Sequence, residues 1–251
     1  MTALQPIAVP HLPRGRVVLA VAGPGSDQTT QKLMELGIEI VCPLPDPALP
    51  APVRSHGDML FFHKGERKIL LAQSQKNLAA RLAERGLRPR YIERKLSGTY
   101  PGDILLNGLA AGGRIFCHAA AASEIMAGRK IVFVRQGYAK CAACLVDENS
   151  IITADPAIAA AGKAAGMDVL RIREGYIALP GYPYGFIGGC CGFIDGETLL
   201  FTGDPLSHPD GERMLDFIER KRKKTLNLKG NLADIGGILP ICENVIDDTC
   251  K

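Results

Sequence analysis

The stretch GFIGGCCGFIDGETLLFTGD (residues 185–204) bears most directly on how the chain folds. It places two adjacent cysteines, Cys190 and Cys191, in a glycine-rich run and follows them with apolar residues on both sides of an Asp195-Gly196 pair. An Asp-Gly pair between two short apolar runs is typical of a tight β-hairpin turn. The cysteines leave three interpretations open: a reactive thiol site, a metal site, or one strand of a repeated unit.

The same order of elements recurs along the chain in blocks of about 40–50 residues. Each block is predicted to hold a strand, a turn, a second strand, an amphipathic helix and a third strand. The helix of the first block carries Leu78, Ala79 and Leu82 on one face and ends before Gly86. Asp155, followed by a proline, is typical of the cap of the third helix. Four blocks cover residues 57–95, 101–135, 138–173 and 185–229.

A fifth block is divided between the two ends of the chain. Residues 232–242 supply its first strand and residues 16–44 supply the rest. This division predicts an α/β fold in which five units close into a ring without a free edge, as one domain of residues 1–251. The Cys190–Cys191 segment is then first of all a structural strand. A barrel of eight strand–helix units or a doubly wound nucleotide fold fits the hairpins poorly.

Composition indicates a globular protein that needs no membrane. Of the 251 residues, 47% are hydrophobic and 22% are charged. The hydrophobic share of a chain of this length is enough to form a full buried core. No apolar run reaches the ~18 residues that a membrane span needs, and residues 1–16 hold prolines where a secretion signal would be apolar. We therefore expect a cytoplasmic protein with its eight cysteines mostly reduced. The basic run 219–224 has no interleaved aromatic residues, which favours a solvated helix end over a nucleic-acid site.

Three runs resemble the pentein fold, the five-bladed α/β propeller of the guanidino-group-modifying enzymes. LMELGIEIVCPLPD (33–46) and SGTYPGDILLNG (97–108) look like segments of dimethylarginine dimethylaminohydrolases, and ADIGGILPI (233–241) is similar to their last-blade glycine pair. The resemblance implies five blades, each a three-stranded sheet plus a helix, closed by the terminal segments. The YGFIGG (184–189) and DIGGILPI (234–241) runs resemble more closely an uncharacterised bacterial branch of the fold. In the family, a cysteine thiolate attacks the guanidinium carbon, a histidine moves protons and carboxylates hold the cation.

Most of that machinery has no counterpart here. The family nucleophile follows the last glycine pair, where this chain has Pro240. The family histidine precedes the first strand of the third blade, where this chain has Tyr138 and, nearby, Lys140. Tyr100 and Pro101 stand where a second-blade carboxylate is expected. The chain thus resembles the family in its fold, whereas the family's catalytic residue types are missing at the corresponding positions.

Two aspartates do match the family pattern. Asp58 corresponds to the aspartate that holds the guanidinium group, and Asp103 belongs to a Gly-Asp pair that is more often structural. We expect Asp58, Arg54, Asp103, Tyr138 and Lys140 to line a ligand pocket; Arg54 could instead pair with Asp58.

Cys242 is the candidate for a relocated nucleophile, because it lies two residues beyond the expected place and would share its strand face. The competing interpretation is a small buried hydrophobic residue. His56 shares strand parity with Asp58 and is the candidate proton carrier, against a simple turn histidine.

The cysteine pairs 141/144 and 190/191 could bind a metal through thiolates, but we expect no metal and no cofactor, because side chains within strands diverge. Two functions stay open. One is a small ligand, cationic by class, or a protein bound at the central pocket without guanidine chemistry. The other is a hydrolase or amidinotransferase with relocated catalytic residues.

Overall fold

The computed structural model describes residues 3–25 and 27–245, which form five small sheets and six α-helices. The strands are β1 Ala3–Pro6, β2 Arg16–Ala22, β3 Glu39–Val41, β4 Phe61–Gly65, β5 Lys68–Leu71, β6 Arg88–Tyr91, β7 Leu109–Ala111, β8 Arg114–Cys117, β9 Lys130–Phe133, β10 Ala143–Asp147, β11 Ser150–Thr153, β12 Asp168–Arg171, β13 Cys191–Phe193, β14 Thr198–Phe201, β15 Lys224–Asn227 and β16 Ile238–Val245. The helices are α1 Asp27–Glu35, α2 Gly57–Leu60, α3 Lys76–Glu84, α4 Ser123–Met126, α5 Pro156–Ala164 and α6 Gly211–Arg220. Short 3-10 turns span Ile187–Cys190 and Pro205–Ser207.

All five sheets share one three-stranded plan, to which blade five adds β1 as a fourth strand, beyond the three strands expected in each blade. In each blade the first two strands are antiparallel and the second and third are parallel, as in β4-β5-β6. A helix connects the two parallel strands, because a tight turn cannot join parallel neighbours. Blades two, three and four are β7-β8-β9, β10-β11-β12 and β13-β14-β15. Blade five joins the chain ends in the order β1-β16-β2-β3.

Exposure rises from the first strand of a blade to the third. Strands β4, β7, β10 and β13 are almost wholly buried, whereas β6, β9, β12 and β15 are mostly half-buried or exposed. This gradient is the one expected when first strands face the centre of a ring and third strands face solvent.

Apolar contacts run around the whole ring. Five clusters of buried residues fill the spaces between neighbouring blades, so every blade packs on two others. Each interface is represented here by two residues of its cluster, one from each blade. Starting between blades one and two and continuing around the ring, they are Phe62 with Ile115, Phe116 with Ile151, Val146 with Phe201, Leu200 with Val17, and Leu239 with Leu71. The prediction of a five-bladed α/β propeller is therefore confirmed. The extent of the domain over residues 1–251 stays a prediction.

Several local predictions agree with the structure. Leu78, Ala79 and Leu82 are the buried residues of α3. The side chain of Asp155 accepts a hydrogen bond from the Ile158 amide and caps α5. Asp195 turns the β13–β14 hairpin, since its Oδ1 atom accepts from the amide of Thr198.

Two segments predicted as strands are helical turns instead. Residues 57–60 form α2, with His56 as the residue before its first turn, so His56 and Asp58 are not alternate residues of one strand. The segment Ile187–Cys190 is a 3-10 turn, and the strand begins only at Cys191. Both turns bend the chain into the innermost strand of a blade, which apolar patterning alone does not reveal.

No helix within residues 3–25 and 27–245 combines the length and apolar character needed to cross a bilayer. Ser26, at the start of the first predicted helix, and Cys250 lie outside the described residues.

Candidate functional site

A pocket of about 240 Å³ opens where the segments leading into blades one, three and five meet. We call it the central pocket. The segment between blades three and four forms the rest of its wall. Its lining residues are Val53, His56, Met59, Tyr138, Cys141, Leu179, Tyr182, Pro183, Tyr184, Phe186 and Asp234.

Asp234 provides a carboxylate at the pocket wall. Its Oδ2 atom accepts a hydrogen bond from the Phe186 amide at 2.8 Å, and its Oδ1 atom accepts from the Gly236 amide at 3.0 Å. The His56 Nδ1 atom lies 3.7 Å from Oδ1. Gly189 packs so tightly against this carboxylate that a Cβ there would lie 1.9 Å from Asp234 Oδ1. Part of the glycine-rich run of residues 185–204 therefore exists to seat Asp234.

Cys141 and Asp58 form a buried pair beneath the pocket floor. The Cys141 thiol donates to Asp58 Oδ2 at 2.7 Å, whereas Asp58 Oδ1 is buried without a hydrogen-bond partner. Burial raises the pKa of Asp58 to about 6; His56 and Lys140 oppose the shift and Asp234 adds to it. Burial, together with Asp58 and Asp234, also raises the pKa of the Cys141 thiol well above its usual value.

Asn107 fixes this pair in place. Its Oδ1 atom accepts from the Lys140 amide at 2.8 Å, and its Nδ2 atom donates to Cys141 Sγ at 3.0 Å and to Met59 Sδ at 3.4 Å. Because Asn107 is fully buried and contacts three segments, it holds the pocket floor rigid.

Tyr138 and Lys140 bond to two different segments around this floor. The Tyr138 hydroxyl donates to Asp103 Oδ2 at 2.5 Å, and burial together with Asp103 raises the pKa of Tyr138. The Lys140 ammonium is buried and donates to the Gly188 carbonyl at 2.9 Å. Asp103 Oδ1, like Asp58 Oδ1, is buried without a hydrogen-bond partner.

The sequence-predicted site residues fall into two groups. His56 and Tyr138 line the pocket, and Asp58, Asp103 and Lys140 lie directly behind its wall through the contacts described above. Arg54 and Cys242 are placed elsewhere.

Arg54 is exposed, and its carbonyl accepts a hydrogen bond from the Asp46 amide. Cys242 lies in the apolar cluster between blades five and one, with Leu239 and Ile241. A register irregularity in β16 surrounds it, and burial raises the pKa of its thiol to about 11.

Three site residues were not singled out by sequence reasoning in these roles: Asn107, Cys141 and Asp234. Asn107 is the next-to-last residue of the run SGTYPGDILLNG, Asp234 lies within ADIGGILPI, and the sequence presents Cys141 only as half of a cysteine pair. For Asn107 and Asp234, the available signal is their position within two motifs that carry the family resemblance.

The cysteines of the opening stretch serve the fold. The thiols of Cys190 and Cys191 both point to the Ile187 carbonyl, at 3.1 and 3.4 Å, and are buried with Cys144 in the cluster between blades three and four. Within residues 3–25 and 27–245, no three or more His, Cys, Asp or Glu side chains are arranged to hold a metal ion.

Comparison with known families assigns the chain. A family described as "Family of unknown function (DUF6873)" matches residues 20–239. The chain belongs to DUF6873. No curated protein matches this DUF6873 chain.

Solved structures share the pentein fold with this DUF6873 chain. An amidinotransferase of saxitoxin biosynthesis from Microseira wollei has 9% sequence identity and a TM-score of 0.54, over 87% of this chain and 91% of that one. Inosamine-phosphate amidinotransferase from Streptomyces griseus has 9% identity and a TM-score of 0.55, over 89% and 91%. Dimethylarginine dimethylaminohydrolase from Pseudomonas aeruginosa has 12% identity and a TM-score of 0.52, over 85% and 92%. At these identities the comparison establishes the shared fold.

Proposed function

We propose that the central pocket binds a small organic cation and that this chain does not carry out guanidine hydrolysis or amidine transfer. The observation that carries the proposal is the combination of a carboxylate, Asp234, with four aromatic side chains around one small pocket. Carboxylates and aromatic faces both attract cations, and they do so more strongly where water is excluded.

The charges behind the wall support the same class of ligand. Asp58 and Asp234 repel each other, and this repulsion contributes to the raised pKa of Asp58. His56 and the Lys140 ammonium, which donates to a main-chain carbonyl, offset part of their charge. A bound cation would offset the remaining negative charge, so binding would reduce the electrostatic cost of holding two carboxylates close together.

The alternative is a hydrolase or amidinotransferase acting on a guanidine-like C–N bond with Cys242, His56 and Asp58 as relocated residues. One observation favours a version of it with Cys141, since that thiol lines the pocket and contacts Asp58. Against it, the raised pKa of Cys141 leaves little of the thiolate that such chemistry requires.

The test is to incubate the purified chain with arginine, agmatine and dimethylarginines and to measure citrulline, urea, ammonia and amidine transfer. We expect no turnover, together with saturable binding of small cations in ligand-observed NMR. Asp234→Asn should weaken that binding at least tenfold, because it removes the charge at the wall. Asp216→Asn makes the same charge change at an exposed position of α6 and should leave binding unchanged.

Turnover of any of these guanidines would contradict the proposal. Alkylation with a haloacetamidine and mapping by mass spectrometry would then show whether Cys141 or Cys242 reacts.

We also propose a cytoplasmic location, because the seven cysteines with described positions are all free thiols, as expected in a reducing compartment.

A further inference from the structure

Three polar groups of the central pocket already make hydrogen bonds within the protein. Each carboxylate oxygen of Asp234 accepts a backbone amide, the Tyr138 hydroxyl donates to Asp103, and the Cys141 thiol donates to Asp58. A guanidinium group carries five N–H donors in a fixed fork and is held best by free acceptors that match this fork. Each Asp234 oxygen already accepts one hydrogen bond, so this carboxylate is less available to a guanidinium fork than a carboxylate without such partners would be.

Aromatic side chains make up much of the remaining lining of the pocket. The Tyr138 and Phe186 rings lie 6.1 Å apart with a 30° interplanar angle, and the Tyr184 ring meets Phe186 edge-on at 6.4 Å. Tyr182 lines the same pocket and is 42% exposed, so it stands at the rim. Aromatic rings that line a pocket together with a carboxylate attract a cation whose charge is spread over alkyl groups and which needs no hydrogen-bond acceptors.

The size of the pocket limits the ligand. Its volume of about 240 Å³ lies below the roughly 300–1,000 Å³ of sites for drug-sized ligands. The side chains of Val53, Met59 and Leu179 give the remaining wall an apolar character that suits methyl groups rather than N–H groups. One alkylated head group with a short substituent therefore matches both the space and the lining.

We infer that the central pocket selects an alkylated ammonium cation, such as a trimethylammonium head group, over a guanidinium group. The inference rests on the cation-binding role proposed above and names the chemical class of the ligand. The aromatic residues at the rim and wall set this preference, and Asp234 supplies the negative field without donating or accepting a directed bond to the ligand.

The experiment measures binding of choline, tetramethylammonium and guanidinium chloride by calorimetry and ligand-observed NMR at one ionic strength. The neutral isostere 3,3-dimethylbutan-1-ol has the shape of choline without its charge and serves as the ligand control. We expect choline and tetramethylammonium to bind at least tenfold more tightly than guanidinium and than the isostere.

Two variants test the aromatic contribution. Phe186→Leu and Tyr182→Leu should each weaken choline binding at least fivefold while leaving the weak guanidinium signal unchanged. Tyr91→Leu is the matched control, because Tyr91 lies on β6 outside the pocket and is 44% exposed, close to the value for Tyr182. The rim position of Tyr182 keeps the test valid even if Phe186→Leu fails to fold.

The outcomes separate the two proposals. Tight binding of guanidinium without binding of tetramethylammonium would overturn this inference and leave the cation-binding function standing. Equal binding of choline and its neutral isostere, or no binding of any cation up to millimolar concentration, would overturn both. An unchanged choline affinity in Tyr182→Leu and Phe186→Leu would overturn the assignment of the preference to these rings.

Discussion

At the scale of single residues, the pocket floor depends on a buried polar network that has little freedom to rearrange. Asn107 uses both ends of its carboxamide, and Asp58 uses one oxygen on the Cys141 thiol while the other has no hydrogen-bond partner. A buried carboxylate with an unsatisfied oxygen costs stability in its charged form. The ionisation of Asp58 should therefore be visible in the stability of the whole protein.

We predict that the stabilising effect of Asp58 is lost as the pH rises. Its pKa of about 6 in the folded chain lies above the unfolded value of 3.8, so its contribution is fully present below pH 4 and disappears through pH 6. Between pH 4 and pH 7.5 the unfolding free energy of the wild type should fall by about 3 kcal/mol relative to Asp58→Asn. Urea unfolding of both proteins across this range measures the difference.

The comparison with Asp58→Asn also removes the effect of other carboxylates. Hydrogen bonds from Arg173 lower the pKa of Asp210, and hydrogen bonds from Arg85 lower that of Glu39, so both groups lose stabilising interactions as the pH falls. They do so in wild type and variant alike. A difference between the two proteins that stays constant from pH 4 to pH 7.5 would contradict the burial of a charged Asp58.

At the scale of elements, the sequence predicts best where one local interaction decides the outcome. Asp155 before a proline specifies the start of α5, and the Asp195-Gly196 pair specifies the hairpin of blade four. Local sequence patterns do not predict the helical turns at 57–60 and 187–190, because tertiary contacts form these turns. The Asp58 amide bonds to the Gly236 carbonyl at 3.3 Å, a partner about 180 residues away that no local pattern indicates.

The cap of α5 is the element whose contribution is easiest to isolate. Asp155→Ala removes the acceptor for the Ile158 amide at 2.8 Å and for the Gln136 side chain at 2.9 Å. The expected loss is about 1–2 kcal/mol of unfolding free energy, measured by urea denaturation. Asp155→Ser keeps a capping oxygen and should recover most of that loss; equal losses in the two variants would argue against a capping role.

At the scale of the whole molecule, the repeated block was enough to predict the ring but not the pocket. The order of strands and helices follows from local patterns and repeats five times, so composition and periodicity are enough to predict it. The pocket is lined by residues near the starts of the blocks, such as Cys141 and Asp234, and by the segment between the third and fourth blocks, and apolar periodicity does not indicate which polar side chains stand there. Cys242 illustrates the same limit, since counting along β16 could not anticipate the register irregularity around it.

Closure of the ring brings the innermost strands of blades four and five into close contact at Gly192. A Cβ at this position would lie 2.0 Å from the Ile238 carbonyl oxygen and 2.7 Å from its Cβ. The neighbouring atoms are main chain, so they cannot rotate away as a flexible side chain would. We therefore expect the contact between blades four and five to tolerate substitution of Gly192 poorly.

Gly192→Ala should lower the unfolding free energy by about 3 kcal/mol or more, because the added methyl group forces β13 away from β16. Gly230→Ala is the control: Gly230 has a φ of +90° but nothing within 4 Å of an added Cβ, so only backbone strain of about 1–2 kcal/mol should follow. Urea unfolding measures both losses. If Gly192→Ala costs no more than Gly230→Ala, the two strands are not held against each other. The closed ring on which the central pocket depends would then have to open between blades four and five.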